Sequence, residues 1–152
     1  MRTATIMIGP SGSGKSTFVR EHCRRAGTLV CSADDYFCED GEYKFNPVML
    51  SSAHDACLRD FVRACINQSD ELVCDNTNTT IDQVAPYIRV AQACGYRVNV
   101  VVCLATLKDC GVRNVHGVPD YVIARQLNQV QDLLNHWPRY WPKYIHHRNV
   151  IK

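Results

Sequence analysis

No C-x-x-C pair occurs in this chain, although it holds nine cysteines. Without such pairs the spacing of a structural zinc site is missing. An odd count also speaks against a closed disulfide framework, so the expectation is reduced thiols. Cys31, Cys74 and Cys103 lie in or beside apolar runs, where cysteine acts as a small hydrophobe. Charge is sparse: 21% of residues are charged and the formal net charge is +2, a balance that names no polyanionic partner. No apolar run approaches the length of a membrane span, and "TATIMIGP" near the start follows no charged leader. The expectation is therefore a cytoplasmic protein, of a cell or an infected host, with no membrane contact. Long linkers and low-complexity tracts are also missing. With 152 residues and 46% hydrophobic composition, residues 1–152 are expected to form one domain around one core.

What is present alternates. Short β-rich runs (Thr3 to Ile8, Thr28 to Ser32, Glu71 to Asp75, Tyr96 to Cys103, with a last one near Asn149 to Ile151) are separated by helical patterns. That alternation predicts an α/β fold with a parallel sheet and crossover helices. One helix follows Gly14, and a second starts at Asn46 with Pro47 in its first position, where a missing N–H costs nothing. A third lies between Thr80 and Cys94, with Pro86 either kinking it or marking its start. The last begins near Pro119, and Ile123, Leu127, Val130, Leu134 and Trp137 form one buried stripe.

"GPSGSGKST", Gly9 to Thr17, follows the first strand and opens the first helix, the context that a G-x-x-x-x-G-K-[ST] phosphate loop requires. Glycines at 9, 12 and 14 let successive N–H groups turn inward toward phosphate oxygens, and the helix N-terminus adds partial positive charge. Gly12, Ser13, Gly14, Lys15, Ser16 and Thr17 are the nucleotide-binding candidates. Lys15 is expected to reach the β and γ phosphates, and the Ser16 hydroxyl to hold magnesium. The cofactors expected are thus ATP and Mg2+. A phosphate loop identifies a nucleotide, not a reaction.

In such a sheet the residues just past the first three strands share one crevice. Here they are the phosphate loop, Ala33-Asp34-Asp35 and Asp75-Asn76-Thr77-Asn78. An acid there can take the proton of an attacking hydroxyl or hold a magnesium shell. Because successive strand residues point to opposite faces, one of Asp34 and Asp35 is expected to face the γ phosphate.

"GPSGSGKST", "SADDYF", "DNTN" and "RNVHGVP" together resemble the phage-type polynucleotide 5'-hydroxyl kinase domain and its cellular relatives, over residues 4 to 135. The resemblance implies a P-loop kinase, a three-layer sandwich with a central parallel sheet and a short lid at about residues 113–119. It also implies that Asp34 is the general base, that Asp35 supports its loop, and that Thr77 positions the acceptor's phosphate. Arg113 matches the first lid arginine and would bridge the donor phosphates. The second lid arginine is replaced by Gly117, with His116 the nearest polar group. Phe37 stands where the phage enzyme carries an arginine that grips the acceptor's 3' phosphate. Asp35, Phe37, Thr77 and His116 are accordingly the substrate-binding candidates, beside catalytic Asp34, Lys15 and Arg113.

The acceptor side offers aromatics from Tyr36 to Pro47 that suit either base stacking or loop packing. Trp137 to Lys152 holds rings and cations, among them Arg148 and Lys152, but no acid. Its expected role is to wrap back on the core, with binding of a single strand as the alternative. The expected activity is transfer of the γ phosphate of ATP to a nucleic-acid hydroxyl, most simply the 5'-OH of DNA or RNA. Alternatives are the hydroxymethyl group of a modified pyrimidine in DNA, a small metabolite, or a nucleotide-dependent binding module. No protein partner is implied.

Overall fold

The computed structural model describes residues 1–147. Five strands, β1 (Thr3–Ile8), β2 (Leu29–Cys31), β5 (Glu71–Cys74), β6 (Arg97–Leu104) and β7 (Tyr144–His147), pair in the order β2-β5-β1-β6-β7, and every pairing is parallel. Two further strands, β3 (Cys38–Glu39) and β4 (Glu42–Tyr43), form a separate antiparallel hairpin. Its turn is Asp40-Gly41, both with positive φ (51° and 78°), the backbone twist that two-residue hairpins favour. The helices are α1 (Lys15–Phe18, continued by a π turn, Val19–Cys23), α2 (Leu50–Ile66), α3 (Ile81–Ala93), α4 (Leu107–Val112) and α5 (Asp120–Asn135).

Strand order decides which face each helix covers. The step from β1 to β2 runs one way along the sheet and all later steps run the other way. Right-handed crossovers therefore put α1 on one face and α2, α3 and α5 on the opposite one. The side chains follow with period two. Ala4, Ile6, Ile8, Val98, Val100 and Val102 enter the large core with Phe61, Ile88 and Val130, whereas Met7, Val73, Val101 and Cys103 enter a smaller core under Val19 and Phe18. The expected three-layer sandwich is what forms.

Local chemistry sets the helix starts. Asn46 accepts from Val48 N at 3.1 Å and Pro47 opens the turn leading into α2. Pro86 neither starts nor ends α3 but sits inside it. The strand expected near Asn149 to Ile151 lies outside the described residues, as do Arg148 and Lys152. The fifth sheet strand is formed earlier, by Tyr144–His147. Before it, Trp137 and Trp141 pack against the large core with their rings edge-on at 5.4 Å, so this part of the tail does wrap back.

Candidate active site

The phosphate loop is held from three directions. Gly9 N donates to Thr77 O at 2.9 Å, Ser11 N donates to Gln126 Oε1 of α5 at 2.9 Å, and the Lys15 ammonium donates to Gly9 O and Pro10 O, both at 2.9 Å. Gly12 has φ +78°, and a Cβ there would strike the Cys110 carbonyl at the end of α4. Backbone thus approaches backbone where only hydrogen fits. Burial pushes Lys15 below the ordinary lysine range, while Asp75, Cys103 and Asp34 pull it back. Ser13 is buried and its Oγ has no partner among the described residues.

The two adjacent acids that follow β2, Asp34 and Asp35, part company. Ala33–Phe37 is a 3-10 turn, not strand, so consecutive side chains diverge around its axis. The Ser32 hydroxyl caps it by accepting from Asp34 N at 3.3 Å, and Asn76 Oδ1 ties it to the end of β5 by accepting from Ala33 N at 2.8 Å. Asp34 opens into the cleft above the phosphate loop, whereas Asp35 lines a second hollow between β2 and α2, beside Asp60 and Cys57. Burial, then the neighbouring Asp34 and Asp75 carboxylates, push Asp35 above the ordinary range.

The main cleft, about 510 Å³, gathers Gly12, Gly14, Lys15, Ser16, Thr17, Asp34, Thr77, Arg113 and His116. Phe37 and Asp35 stand outside it. The Phe37 ring is only 5% exposed and packs on Tyr36, Tyr43 and Phe45, so it serves as the plug beneath the hairpin instead of meeting an acceptor. Arg113 Nε donates to Asp109 O at 3.3 Å, but Nη1 and Nη2 are shut off from solvent with no partner among the described residues. An unpaired buried guanidinium is costly, and a phosphate oxygen is the group that would satisfy it.

Residues 5–134 match the AAA domain family (AAA_33). The chain belongs to this family. This AAA domain is 30% identical over 132 residues to NEDD4-binding protein 2 of Homo sapiens, a match covering 83% of the chain but 7% of that protein's length. Its fold is similar to a chain of the Pnkp1/Rnl/Hen1 RNA repair complex (TM-score 0.72, 16% identity, 90% of this chain and 46% of that one). It is also similar to shikimate kinase from Acinetobacter baumannii (TM-score 0.62, 16% identity, 98% and 85%). The AAA domain therefore has a P-loop kinase-like fold, a central parallel sheet flanked by helices, which it shares with these two solved structures. Among the described residues no helix is long and apolar enough to cross a membrane.

Several contacts around Ser16 and Asp34 were not expected from the sequence. The Ser16 hydroxyl donates to Asp75 Oδ2 at 2.9 Å, pairing the loop with the end of β5. Tyr43 donates its hydroxyl to Asp34 Oδ1 at 3.3 Å, and His116 Nε2 lies 3.6 Å from Asp34 Oδ2. His54 of α2 also feels Asp34: burial lowers its pKa, while the Asp34 and Asp55 charges oppose that. The signal for Tyr43 was Asp40-Gly41, a hairpin turn that folds the chain back beside Asp34.

Proposed function

We propose that this AAA domain is an ATP-dependent kinase that transfers the γ phosphate to a nucleic-acid hydroxyl, most simply the 5'-OH end of DNA or RNA. The observation that supports this most is that Asp34 opens into the cleft that Lys15, Ser16 and Arg113 also line, with Arg113 Nη1 and Nη2 lacking a partner among the described residues. Lys15 and the loop amides hold the triphosphate. Asp34 takes the proton of the attacking hydroxyl, and Arg113 neutralises charge on the transferring group. Ser16 and Asp75 supply two hard oxygens that fit magnesium, an ion that keeps most of its waters. Bound there, it would screen the phosphate charges. Thr77 lines the acceptor side.

A second acceptor is favoured by one feature. Phe37 is buried where the phage enzyme has its 3'-phosphate-gripping arginine, which leaves room for a hydroxymethylated base within DNA. Labelled phosphate transfer to 5'-OH oligonucleotides, to DNA with hydroxymethylated bases and to small polyols distinguishes the acceptors; label on internal bases or polyols alone would refute the 5'-OH assignment. Asp34→Asn is expected to lower transfer by about 10²- to 10⁴-fold while ATP still binds. Unchanged transfer in that variant would refute Asp34 as the base, and ATP binding without transfer to any of these alcohols by the wild-type protein would leave a nucleotide-dependent binding module.

A further inference from the structure

We infer that Tyr43 is the positioning residue for the base: its hydroxyl engages Asp34 Oδ1, leaving Oδ2 as the oxygen that receives the acceptor's proton. The inference rests on the phosphotransfer reading above. A carboxylate at the end of a short side chain can offer either oxygen by rotation, so a base is only as well aimed as its unused oxygen is fixed. Here the 3.3 Å contact from Tyr43 fixes Oδ1. It is long for an O–H···O bond, as catalytic contacts often are outside the reacting complex. His116 Nε2, 3.6 Å from Oδ2, is at ion-pair distance when protonated but beyond hydrogen-bond reach, so with the neutral ring Oδ2 keeps its lone pairs for the acceptor.

The Tyr43 ring is itself held on three sides. It lies 4.2 Å from the His116 ring, stacks at 12° on Phe45, and meets Phe37 edge-on at 6.2 Å. With the hairpin turn behind it, the phenol has little freedom. Burial, then the Asp34 charge and hydrogen bond, push the phenol up to about 12, so it remains a donor throughout the neutral range. In the step itself the acceptor O–H proton passes to Oδ2, the acceptor oxygen bonds to the γ phosphorus, and the bond from that phosphorus to the β-phosphate oxygen breaks with its electron pair leaving on ADP.

Tyr43→Phe keeps the ring and removes only the hydroxyl. The expected result is a kcat lower by about ten- to a hundredfold, the range of a hydrogen bond to a charged group, with KM for ATP unchanged. In an Asp34→Ala background the same substitution is expected to leave the residual rate as it was, because Tyr43 acts only through the carboxylate. Equal losses in both backgrounds, or no loss with Asp34 present, would overturn the inference. Should the wild-type protein phosphorylate another alcohol and no 5'-hydroxyl strand, the acceptor assignment fails while Tyr43 is judged by the same two ratios on that alcohol.

Discussion

Arg113 carries a charge that the surrounding protein leaves largely unanswered, and that has opposite consequences for function and stability. Replacing it with Met is expected to lower phosphoryl transfer by about 10³-fold or more, the scale of an arginine finger. The same change removes two buried guanidinium nitrogens that have no partner among the described residues. The variant is therefore expected to unfold at higher urea than the parent, by the equivalent of about 1–3 kcal/mol. Side-by-side transfer rates and urea midpoints test both halves, and a destabilised Arg113→Met would show that the guanidinium is satisfied by the fold alone. Arg113→Lys is expected to recover little activity, since a point charge cannot reproduce a planar fork.

At the scale of elements, the loop proposed as the lid is stapled by one side chain. Asn114 donates to Val118 O and accepts from Val118 N at 3.1 Å, and Gly117 turns through φ +66° between them. That closure carries His116 to Asp34. Asn114→Ala is expected to slow transfer about tenfold, a value near one lost hydrogen-bond pair, and to expose residues 113–118 to protease with little change in the global unfolding midpoint. A lid that stays protease-resistant would contradict the staple. The same scale shows what the sequence could reveal. The central strands were legible because both faces of a parallel sheet are buried and their apolar runs stand out. The phosphate loop was legible because its chemistry demands fixed local spacing, whereas the choice of Asp34 over Asp35 came from the resemblance of "SADDYF". β7 was not, since an edge strand reading Tyr-Ile-His-His lacks an apolar run. Short α4 and the β3–β4 hairpin were also missed. Asp75 was seen but left without a role, because its bond to Ser16 spans 59 positions and no local pattern encodes it.

Across the whole molecule, buried thiols set the alkaline limit. Burial pushes Cys31 up to about 12 and Cys65 and Cys103 up to about 11, and it raises Cys74 as well. In the unfolded chain these thiols ionise near 9. The folded state then binds more protons, so their contribution is complete below pH 9 and is lost as pH rises through 11 to 12. Lys15, lowered by burial, acts in the opposite direction. So does Cys57, lowered to about 7 chiefly by its hydrogen bond with Cys74, but above pH 9 it is ionised in both states and leaves Lys15 to oppose the four thiols. The urea midpoint is expected to fall steadily from pH 9 to pH 10.5, at up to about 1.4 kcal/mol per unit per thiol. Cys103→Ala is expected to make the decline shallower, and a flat profile would mean that the thiols are solvated.

The helix that begins at Lys15 serves two masters, since its first turn is the one proposed to hold phosphate and its next turn, through Phe18 and Val19, shelters Met7, Val73 and Val101. Occupancy of the loop and integrity of that minor core are therefore one linked equilibrium. A defect beneath the helix, remote from any reacting atom, will masquerade as weakened affinity for ATP.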